Sequence, residues 1–399
     1  MSLTTLFLKP GEADRLLAGH PWIYSSSILR FSGLALDGDC VQVKDHRQRF
    51  IGVGLYNSKS KIIVRLLSRE RTEINKDFFL KRFREAAALR NRCMRGKTSY
   101  RLVNAESDSL SGLIIDKYED VCVVQISSLG MDRRRNEIKE ALLQVCKPRT
   151  IMERSDIASR RFEGLEDSSG AWLGEPVKNI TIQLNGLPFE IDLETGHKTG
   201  LYLDQQTNYA RVAEFAAGAN VLDCFSFLGG FGIHAGKAGA KLVRGIDQSE
   251  AAVHAATVNA QRNGVKDLCT FETANVFDWL KERTVGGPSN VQVHYYDLII
   301  LDPPSFTRSR ATVPDALRGY KEIHLRALKL LRPGGVLATF CCSHHVDARL
   351  FEEVVLAASY DARKVLRRVA SYSQSPDHPI LPAIPETEYL KGFAYEIAN

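Results

Sequence analysis

The spacing of apolar residues divides the chain into three regions with different periodicities. Through about residue 72, short apolar runs such as Leu6–Leu8 and Val41–Val43 alternate with polar turns. This pattern predicts a small β barrel, with a short helix over residues 11–18. Residues 1–72 are therefore predicted to form the first domain.

Residues 73–178 are predicted to form a second, small α+β domain. Apolar residues at helical spacing predict one helix from Asn75 to Arg95, and a second from Arg133 to Val145. Short β-type segments lie before and after the second helix, the last of them near residues 150–154. Residues 164–174 are rich in Gly, Ser and acidic residues, which favours a linker or flexible loop.

The third predicted domain, residues 179–399, alternates strand-like and helix-like segments. It begins with a predicted hairpin over residues 180–193 whose turn is Asn185-Gly186. Several apolar strands then end on a chemically functional residue, at Asp223, Asp247 and Asp302. Alternation of strands and helices indicates an α/β fold with a Rossmann-like sheet.

Charge is distributed unevenly along the 399 residues. The net charge is +6, but residues 1–100 carry 19 Lys and Arg against 9 Asp and Glu, so the remainder is slightly acidic. A basic amino-terminal part favours a polyanion-binding module, although a solvated basic surface is as good an explanation from charge alone.

Other features of the sequence indicate a cytosolic protein. No apolar run approaches the roughly 20 residues that span a bilayer, and the first residues do not resemble a secretion signal. The eight cysteines lack a Cys-x-x-Cys pair, which favours reduced thiols and no metal site. The adjacent Cys341 and Cys342 are the exception, because they follow a predicted strand.

The turn after Asp223 indicates the type of cofactor. Its glycines at 229, 230 and 232 do not form Gly-x-Gly-x-x-Gly, and no Lys-Ser/Thr follows, which disfavours a pyrophosphate ligand. Asp247 follows Asp223 by 24 residues, and a carboxylate at that position is suited to accept hydrogen bonds from ribose hydroxyls. The pattern therefore favours a nucleoside without phosphates.

These elements resemble the class I S-adenosylmethionine (SAM)-dependent methyltransferases. The resemblance implies that Asn275 stands where such enzymes usually have an adenine-binding Asp. We also predict that the polar segment 196–206 covers the cofactor, with Lys198 to Gln205 near it. The predicted cofactor residues are Tyr202, Gln205, Asp223, Phe225, Ser226, Gly229, Gly230, Asp247, Asn275, Asp302 and Pro303.

A cysteine at the end of the predicted fifth strand, residues 335–340, lies close to the Asp302-Pro303-Pro304 turn in such a fold. A thiolate can add to carbon 6 of a pyrimidine and make carbon 5 nucleophilic enough to accept a methyl group. Asp302 would hold or protonate N3 of the base. Ser305, His344 or a water molecule would remove the C5 proton.

The whole chain resembles the RlmI (YccW-type) family of bacterial ribosomal RNA large-subunit cytosine-5 methyltransferases, which have a PUA domain, a central domain and a methyltransferase domain. The sequence motifs that carry the resemblance include His20-Pro21-Trp22, Glu106-Ser107-Asp108 and Tyr202-Leu203-Asp204-Gln205. The family nucleophile lies in a Thr-Phe-Ser-Cys-Ser pattern, which here is Thr339-Phe340-Cys341-Cys342-Ser343. The resemblance therefore implies that Cys342 is the nucleophile.

The resemblance also implies that the PUA-like domain binds structured RNA. We predict base or phosphate contacts from its basic and aromatic side chains, and base stacking or helix packing by Tyr320. The predicted RNA-binding residues are His20, Trp22, Lys44, Arg47, Lys59, Lys61 and Tyr320. For Trp22, the pattern favours a buried position in the barrel over stacking on a base.

The predicted function is methylation of carbon 5 of a cytosine in 23S ribosomal RNA, either naked or in a partly assembled subunit. Two alternatives remain open. Asp302-Pro303-Pro304-Ser305-Phe306 also resembles motifs of enzymes that methylate nitrogen without a cysteine. The chain could instead be a non-catalytic RNA-binding assembly factor. We also leave open whether it acts as a monomer or a homodimer.

Overall fold

A computed structural model describes residues 3–194, 199–285, 295–307 and 309–398. The chain divides into two compact units. The first comprises residues 1–182, 192–203 and 376–387, and the second comprises residues 183–191, 204–375 and 388–399. Within the described residues, no helix is both long enough and apolar enough to span a membrane.

The first unit begins with a six-stranded sheet, consistent with the predicted β-rich first domain. Its strand order is β2-β6-β5-β4-β1-β3, and alternating side chains such as Leu6, Val41 and Val43 form its core. The elements are β1 (Thr5–Leu8), α1 (Asp14–Leu17), β2 (Trp22–Tyr24), β3 (Ile28–Ser32), β4 (Cys40–Lys44), β5 (Phe50–Tyr56) and β6 (Ile62–Ser68).

A five-stranded sheet with order β11-β10-β9-β8-β7 follows in the same unit. Its core contains Phe79 and Phe83 together with Val53 and Leu55 of β5, so the two sheets share one apolar cluster. The elements are α2 (Lys76–Cys93), β7 (Ser99–Asn104), β8 (Leu113–Tyr118), β9 (Val121–Ile126), α3 (Leu129–Asp132), α4 (Arg135–Cys146), β10 (Thr150–Ser155) and β11 (Ser168–Leu173).

The prediction of a linker over residues 164–174 is wrong. Ser168–Leu173 forms β11, which pairs antiparallel with β10. The indole Nε1 of Trp172 donates a hydrogen bond to Glu153 Oε2 at 3.0 Å. An edge strand forms hydrogen bonds to a neighbouring strand along only one side and can therefore be polar. The polar composition of this segment is thus compatible with a strand and does not by itself indicate a loop.

Residues 376–387 return to the first unit, which the sequence did not indicate. Arg90 is fully buried and donates from Nη1 to Asp108 (2.5 Å) and from Nη2 to the carbonyl oxygen of Asp377 (2.8 Å). The backbone amide of Arg101 donates to the Asp377 carboxylate at 2.8 Å. Buried charges need such partners, and these contacts fix the segment within the first unit.

The predicted hairpin is present as β12 (Asn179–Leu184) and β13 (Leu187–Asp192). Asn185 (φ 54°) and Gly186 (φ 83°) both lie in the left-handed region, which a type I′ turn requires. The boundaries predicted at residues 72 and 178 remain predictions, since the compact units follow a different division.

The second unit is built on a seven-stranded sheet with order β16-β15-β14-β17-β18-β20-β19. The first five strands are parallel, whereas β20 is antiparallel to both of its neighbours. Its elements are α5 (Gln206–Ala213), β14 (Asn220–Cys224), α6 (Gly230–Lys237), β15 (Leu242–Asp247), α7 (Glu250–Arg262), β16 (Cys269–Thr273), α8 (Val276–Thr284), β17 (Tyr296–Leu301), α9 (Val313–Leu330), β18 (Leu331–Cys341), α10 (Ala348–Asp361), β19 (Leu366–Ser373) and β20 (Lys391–Ile397).

This topology determines where a site can form. The chain passes from β14 outward to β15 and β16, then returns to β17 on the other side of β14. The strand order therefore reverses between β14 and β17, and parallel sheets bind ligands at the carboxyl edge beside such a reversal. Asp223, Asp247 and Asp302 lie at or directly after strand ends on this edge.

Candidate active site

The turn between β14 and α6 has a strained backbone. Phe225 (φ 64°) and Phe227 (φ 47°) adopt left-handed conformations that non-glycine residues rarely use, and Gly229 (φ 80°) follows them. The turn is held by the Ser226 amide, which donates to the carbonyl oxygen of Ile246 at 3.0 Å. Such strain costs roughly 1–3 kcal/mol per residue and is concentrated at functional sites.

Asp223 is a fully buried carboxyl group with unused hydrogen-bonding capacity. Its Oδ2 accepts a hydrogen bond from the Gly232 amide at 2.9 Å. Within the described part of the chain, its Oδ1 is buried and has no hydrogen-bond partner. The pKa of Asp223 is raised to about 8, chiefly by burial; the Gly232 hydrogen bond opposes this increase, and the negative charges of Asp302 and Asp247 contribute to it.

Asp247 stabilises the same turn from the end of β15. Its Oδ2 accepts from the Phe227 amide and its Oδ1 from the Ser249 amide, both at 2.9 Å. The side chain is half-buried, and each carboxylate oxygen can accept a further hydrogen bond. Asp247 therefore fixes the turn and is still suited to the predicted ribose contact.

Asn275 has a structural role that the sequence did not suggest. It is the N-cap of α8, and its Oδ1 accepts from the amides of Phe277 (2.9 Å) and Asp278 (3.3 Å). Both lone pairs of this carbonyl oxygen are thereby occupied. In this arrangement the oxygen is not available to accept from an adenine amino group, so the geometry argues against the predicted contact.

Asp302 follows β17 and is oriented by the start of α5. Gln205 Nε2 donates to Asp302 Oδ1 at 3.0 Å, and Gln205 Oε1 accepts from Asn208 Nδ2 at 2.7 Å. Asn208 Nδ2 also donates to the carbonyl oxygen of Ser373 at 2.9 Å. The structure thus brings two predicted site residues, Gln205 and Asp302, into direct contact.

Cys342 lies next to the same turn, as the sequence predicts. Its Sγ is 4.0 Å from the carbonyl oxygen of Pro303, and the side chain is half-buried. Cys341 is fully buried, and its thiol donates to the Tyr320 hydroxyl at 3.4 Å. Successive side chains at the end of a strand point to opposite faces, which is why only one of the two cysteines lies beside Pro303.

The residues present fit the cofactor implied by the resemblance. Asp223 and Ser226 each have a buried oxygen without a partner among the described residues. The carboxylates of Asp247 and Asp302 lie on the same edge of the sheet. Such an acceptor-rich site recognises hydroxyl and amino donors and a positively charged sulfonium, which are the groups of SAM.

Comparisons with known proteins agree with this geometry. A family model for a PUA-like domain matches residues 6–69, and a model for S-adenosylmethionine-dependent methyltransferases matches residues 136–383. A ribosomal RNA large subunit methyltransferase I from Photobacterium profundum is 38% identical, with 98% of each chain covered. The protein of the same name from Shewanella amazonensis is 40% identical, also with 98% of each chain covered.

The chain belongs to the ribosomal RNA large subunit methyltransferase I family. It is a SAM-dependent methyltransferase with a PUA-like domain, and the predicted fold class and cofactor are confirmed. Among solved structures, SMU.776, described as a methyltransferase complexed with S-adenosylhomocysteine, has the same fold. Its TM-score is 0.83 at 22% identity, with 98% of this chain and 100% of that chain covered.

Two RNA-contact predictions for this family member are not supported by the structure. Tyr320 is fully buried, with its ring centroid 4.6 Å from Phe306 and 5.4 Å from Phe351, so it packs the helix and offers no face to a base. His20 is 2% exposed, and its Nε2 is 2.6 Å from Arg15 Nη2. Burial and the Arg15 charge lower the pKa of His20.

The other predicted RNA contacts remain predictions. Trp22 is half-buried and its indole donates to Glu106 Oε1 at 3.1 Å, so part of its ring serves the fold. Arg47, Lys59 and Lys61 are exposed, whereas Lys44 is half-buried. Exposed cations on a PUA-like domain are suited to phosphate contacts.

The structure describes only part of the segment 196–206, which the sequence predicts to cover the cofactor. Lys198 lies outside the described residues. Tyr202 belongs to the first compact unit and Gln205 to the second, so the segment passes from one unit to the other. The Tyr202 contact therefore remains a prediction, while Gln205 lies beside Asp302.

Sequence reasoning missed two residues that support the Cys342 region. Ser343 is buried, and its hydroxyl lies 2.8 Å from Ser305 Oγ and 3.3 Å from the Tyr320 hydroxyl. Lys391, at the start of β20, donates from Nζ to the carbonyl oxygens of Ser343 and Val346, both at 2.6 Å. The Tyr389-Leu390-Lys391-Gly392-Phe393 motif is the available signal in the sequence, but by itself it indicates only a terminal strand.

Proposed function

We propose that this protein methylates carbon 5 of a cytosine in large-subunit ribosomal RNA through a transient adduct with Cys342. The observation that carries this proposal is the half-buried Cys342 thiol, 4.0 Å from the Pro303 carbonyl oxygen at the carboxyl edge of the sheet. The RNA substrate is inferred from relatives named ribosomal RNA large subunit methyltransferase I. The PUA-like domain supports it.

The chemistry requires the Cys342 thiolate to form a bond to carbon 6 of the cytosine. The electron pair of the C5–C6 double bond then becomes available at carbon 5, which no unactivated cytosine provides. Asp302, oriented by Gln205, would hold or protonate N3 and so stabilise the charge that develops in the ring. Bound SAM supplies an electrophilic methyl group.

The remaining steps restore the aromatic base and the enzyme. Carbon 5 takes the methyl group, and the displaced electron pair remains on the sulfur of S-adenosylhomocysteine. A base then removes the C5 proton, the C5–C6 double bond reforms, and the Cys342 thiolate leaves. Ser305, on the exposed turn beside Cys342, or His344, also exposed, or a water molecule would receive this proton.

A labelled-methyl assay tests the proposal. Ribosomal RNA from a strain lacking the gene would be incubated with labelled SAM and wild type, Cys342→Ala or Cys93→Ala, and the digested nucleosides would be separated. We expect label in 5-methylcytidine with wild type and with the Cys93→Ala control, since Cys93 is an exposed thiol of the first unit. Cys342→Ala should give none.

A different result would distinguish the alternatives. Label in a methylated purine, unaffected by Cys342→Ala, would establish nitrogen methylation. SAM binding without any transfer to naked RNA or to partly assembled subunits would favour an assembly factor. RNA containing 5-fluorocytidine should also become covalently linked to wild type but not to Cys342→Ala, because fluorine at carbon 5 cannot leave as a proton does.

A further inference from the structure

The start of β20 is joined to the loop that carries Cys342. Lys391 pairs with Cys341 in the antiparallel register of β18 and β20. Its side chain is half-buried, and its ammonium group donates to two carbonyl oxygens at 2.6 Å, those of Ser343 and Val346. The Val346 amide also donates to the Ser343 carbonyl oxygen at 3.4 Å. Lys391 therefore bridges both ends of the turn that directly follows Cys342.

The charge of Lys391 is coupled electrostatically to the two cysteines. Burial lowers the pKa of Lys391, whereas negative charge on Cys341 or Cys342 raises it. Asp347 and Glu388 act in the same direction as the thiolates. Electrostatic coupling between two groups is reciprocal, so a positive charge that a thiolate stabilises also stabilises that thiolate.

Among the residues that the structure describes around Cys342, the other titratable groups do not supply this positive charge. Tyr320 reaches the loop from α9, and burial together with the thiol charges raises its pKa, so it stays neutral. Asp302, on the turn after β17, is acidic. His344 is exposed on the turn itself, where solvent screens electrostatic interactions. Lys391 is thus the half-buried cation of this group.

We propose that Lys391 is a positioning residue for Cys342: its ammonium group holds the turn at residues 343–346 and stabilises the thiolate for addition to the base. This inference rests on the proposed function, in which Cys342 is the nucleophile. Lys391 suits this role because it lies on β20, which pairs with β18 on one side and β19 on the other and is therefore rigid.

The test measures the reactivity of the Cys342 thiol directly. Wild type, Lys391→Met, Lys391→Gln, Lys391→Arg and the control Lys241→Met would be alkylated with iodoacetamide from pH 5.5 to 10, and the Cys342 peptide quantified by mass spectrometry. Lys241 is exposed and lies just before β15, at the opposite edge of the sheet. Cys93 serves as an internal reference thiol.

We expect the Lys391→Met and Lys391→Gln variants to move the midpoint of Cys342 alkylation upward by about one pH unit, which lowers the rate near pH 7 about tenfold. Lys391→Arg should remain within about threefold of wild type because it keeps the charge. In methyl transfer, kcat should fall about tenfold while KM for SAM stays unchanged. Lys241→Met should match wild type in each measurement.

The outcomes separate this inference from the proposed function. If both neutral variants keep the wild-type alkylation profile while Cys342→Ala abolishes transfer, the role of Lys391 is overturned and the proposed function stands. If the neutral variants shift the profile but Cys342→Ala still transfers methyl groups, the proposed function fails and the effect of Lys391 on the thiol stands. Thermal unfolding and SAM titration of every variant verify folding, and Lys391→Gln provides a polar substitute if Lys391→Met does not fold.

Discussion

The two halves of the candidate site are stabilised in different ways. In the cofactor half, backbone amides of the turns after β14 and β15 bind Asp247, and an amide in the first turn of α6 binds Asp223. In the reactive half, the side chain of Gln205, directly before α5, supports Asp302, and that of Lys391 in β20 supports the loop after Cys342. The first half is thus built from residues near one another in the sequence or on adjacent strands, and the second depends on long-range contacts.

This difference predicts separable effects of mutation. Changes in the cofactor half should alter SAM affinity and leave the reactivity of the Cys342 thiol unchanged. Changes in the reactive half should lower kcat with little effect on SAM affinity. A variant of either half that produced both effects in equal measure would show that the two halves form one cooperative unit.

The largest expected effect in the cofactor half is that of Asp247→Ala. It removes the acceptor for the Phe227 and Ser249 amides, so the strained turn loses two charge-assisted bonds. We expect SAM affinity to fall by about 100-fold in isothermal titration, equivalent to about 2.7 kcal/mol. Asp267→Ala, an exposed acid elsewhere in this unit, is the control. Affinity within threefold of wild type would refute a binding role for Asp247.

In the reactive half, Gln205→Ala should have an intermediate effect. The substitution frees Asp302 to adopt other orientations, since it removes the donor 3.0 Å from its Oδ1. We expect kcat for methyl transfer to fall about tenfold, from loss of one hydrogen bond to a charged group. The exposed Gln248→Ala is a matched control. A fall in SAM affinity at unchanged kcat would instead assign Gln205 to the cofactor half.

The buried Asp223 predicts a pH dependence of stability. Its pKa in the folded protein is about 8, above the value of 3.8 for an ordinary Asp, so the native carboxyl keeps its proton while the unfolded chain releases it. Its contribution to stability is therefore fully present below about pH 4 and is lost as the pH rises through about 8. Without SAM, wild type should lose more thermal stability than Asp223→Asn between pH 5 and pH 8.

The same carboxyl should affect SAM binding. An ionised Asp223 attracts a cationic ligand, so wild-type affinity should increase from pH 6 to pH 8 and the Asp223→Asn profile should be flatter. Parallel profiles for the two proteins would show that Asp223 does not titrate in this range.

The smallest expected effect concerns Asn275. Loss of the N-cap in Asn275→Ala should lower the free energy of unfolding by about 1 kcal/mol, and Asn275→Asp should keep most of it. SAM affinity should stay within about twofold of wild type in both variants. A tenfold loss of affinity in Asn275→Ala, without loss of stability, would restore the adenine contact that the sequence suggested.

Much of the cofactor half could be predicted from the sequence. Asp223 and Asp247, which lie at the carboxyl ends of their strands, and the glycines at 229 and 230 fall within 25 residues, where local rules of turns and parallel sheets apply. The position of Asn275 suggested a ligand contact, and the sequence did not indicate that its side chain caps the helix that follows directly. For Tyr320 the sequence left base stacking and helix packing both open, because an aromatic residue near a site is equally typical of a core, and its full burial favours packing.

Local sequence patterns were sufficient to predict the α/β fold, the SAM-type turn and the position of Cys342 at a strand end, since each depends on residues close together in the chain. The contacts of Lys391 with the Cys342 loop and of Gln205 with Asp302, and the place of residues 376–387 in the first unit, became visible in the folded chain alone. These contacts join residues from about 50 to nearly 300 positions apart. No periodicity or motif encodes such pairings, because they arise only when the strands have been brought into register.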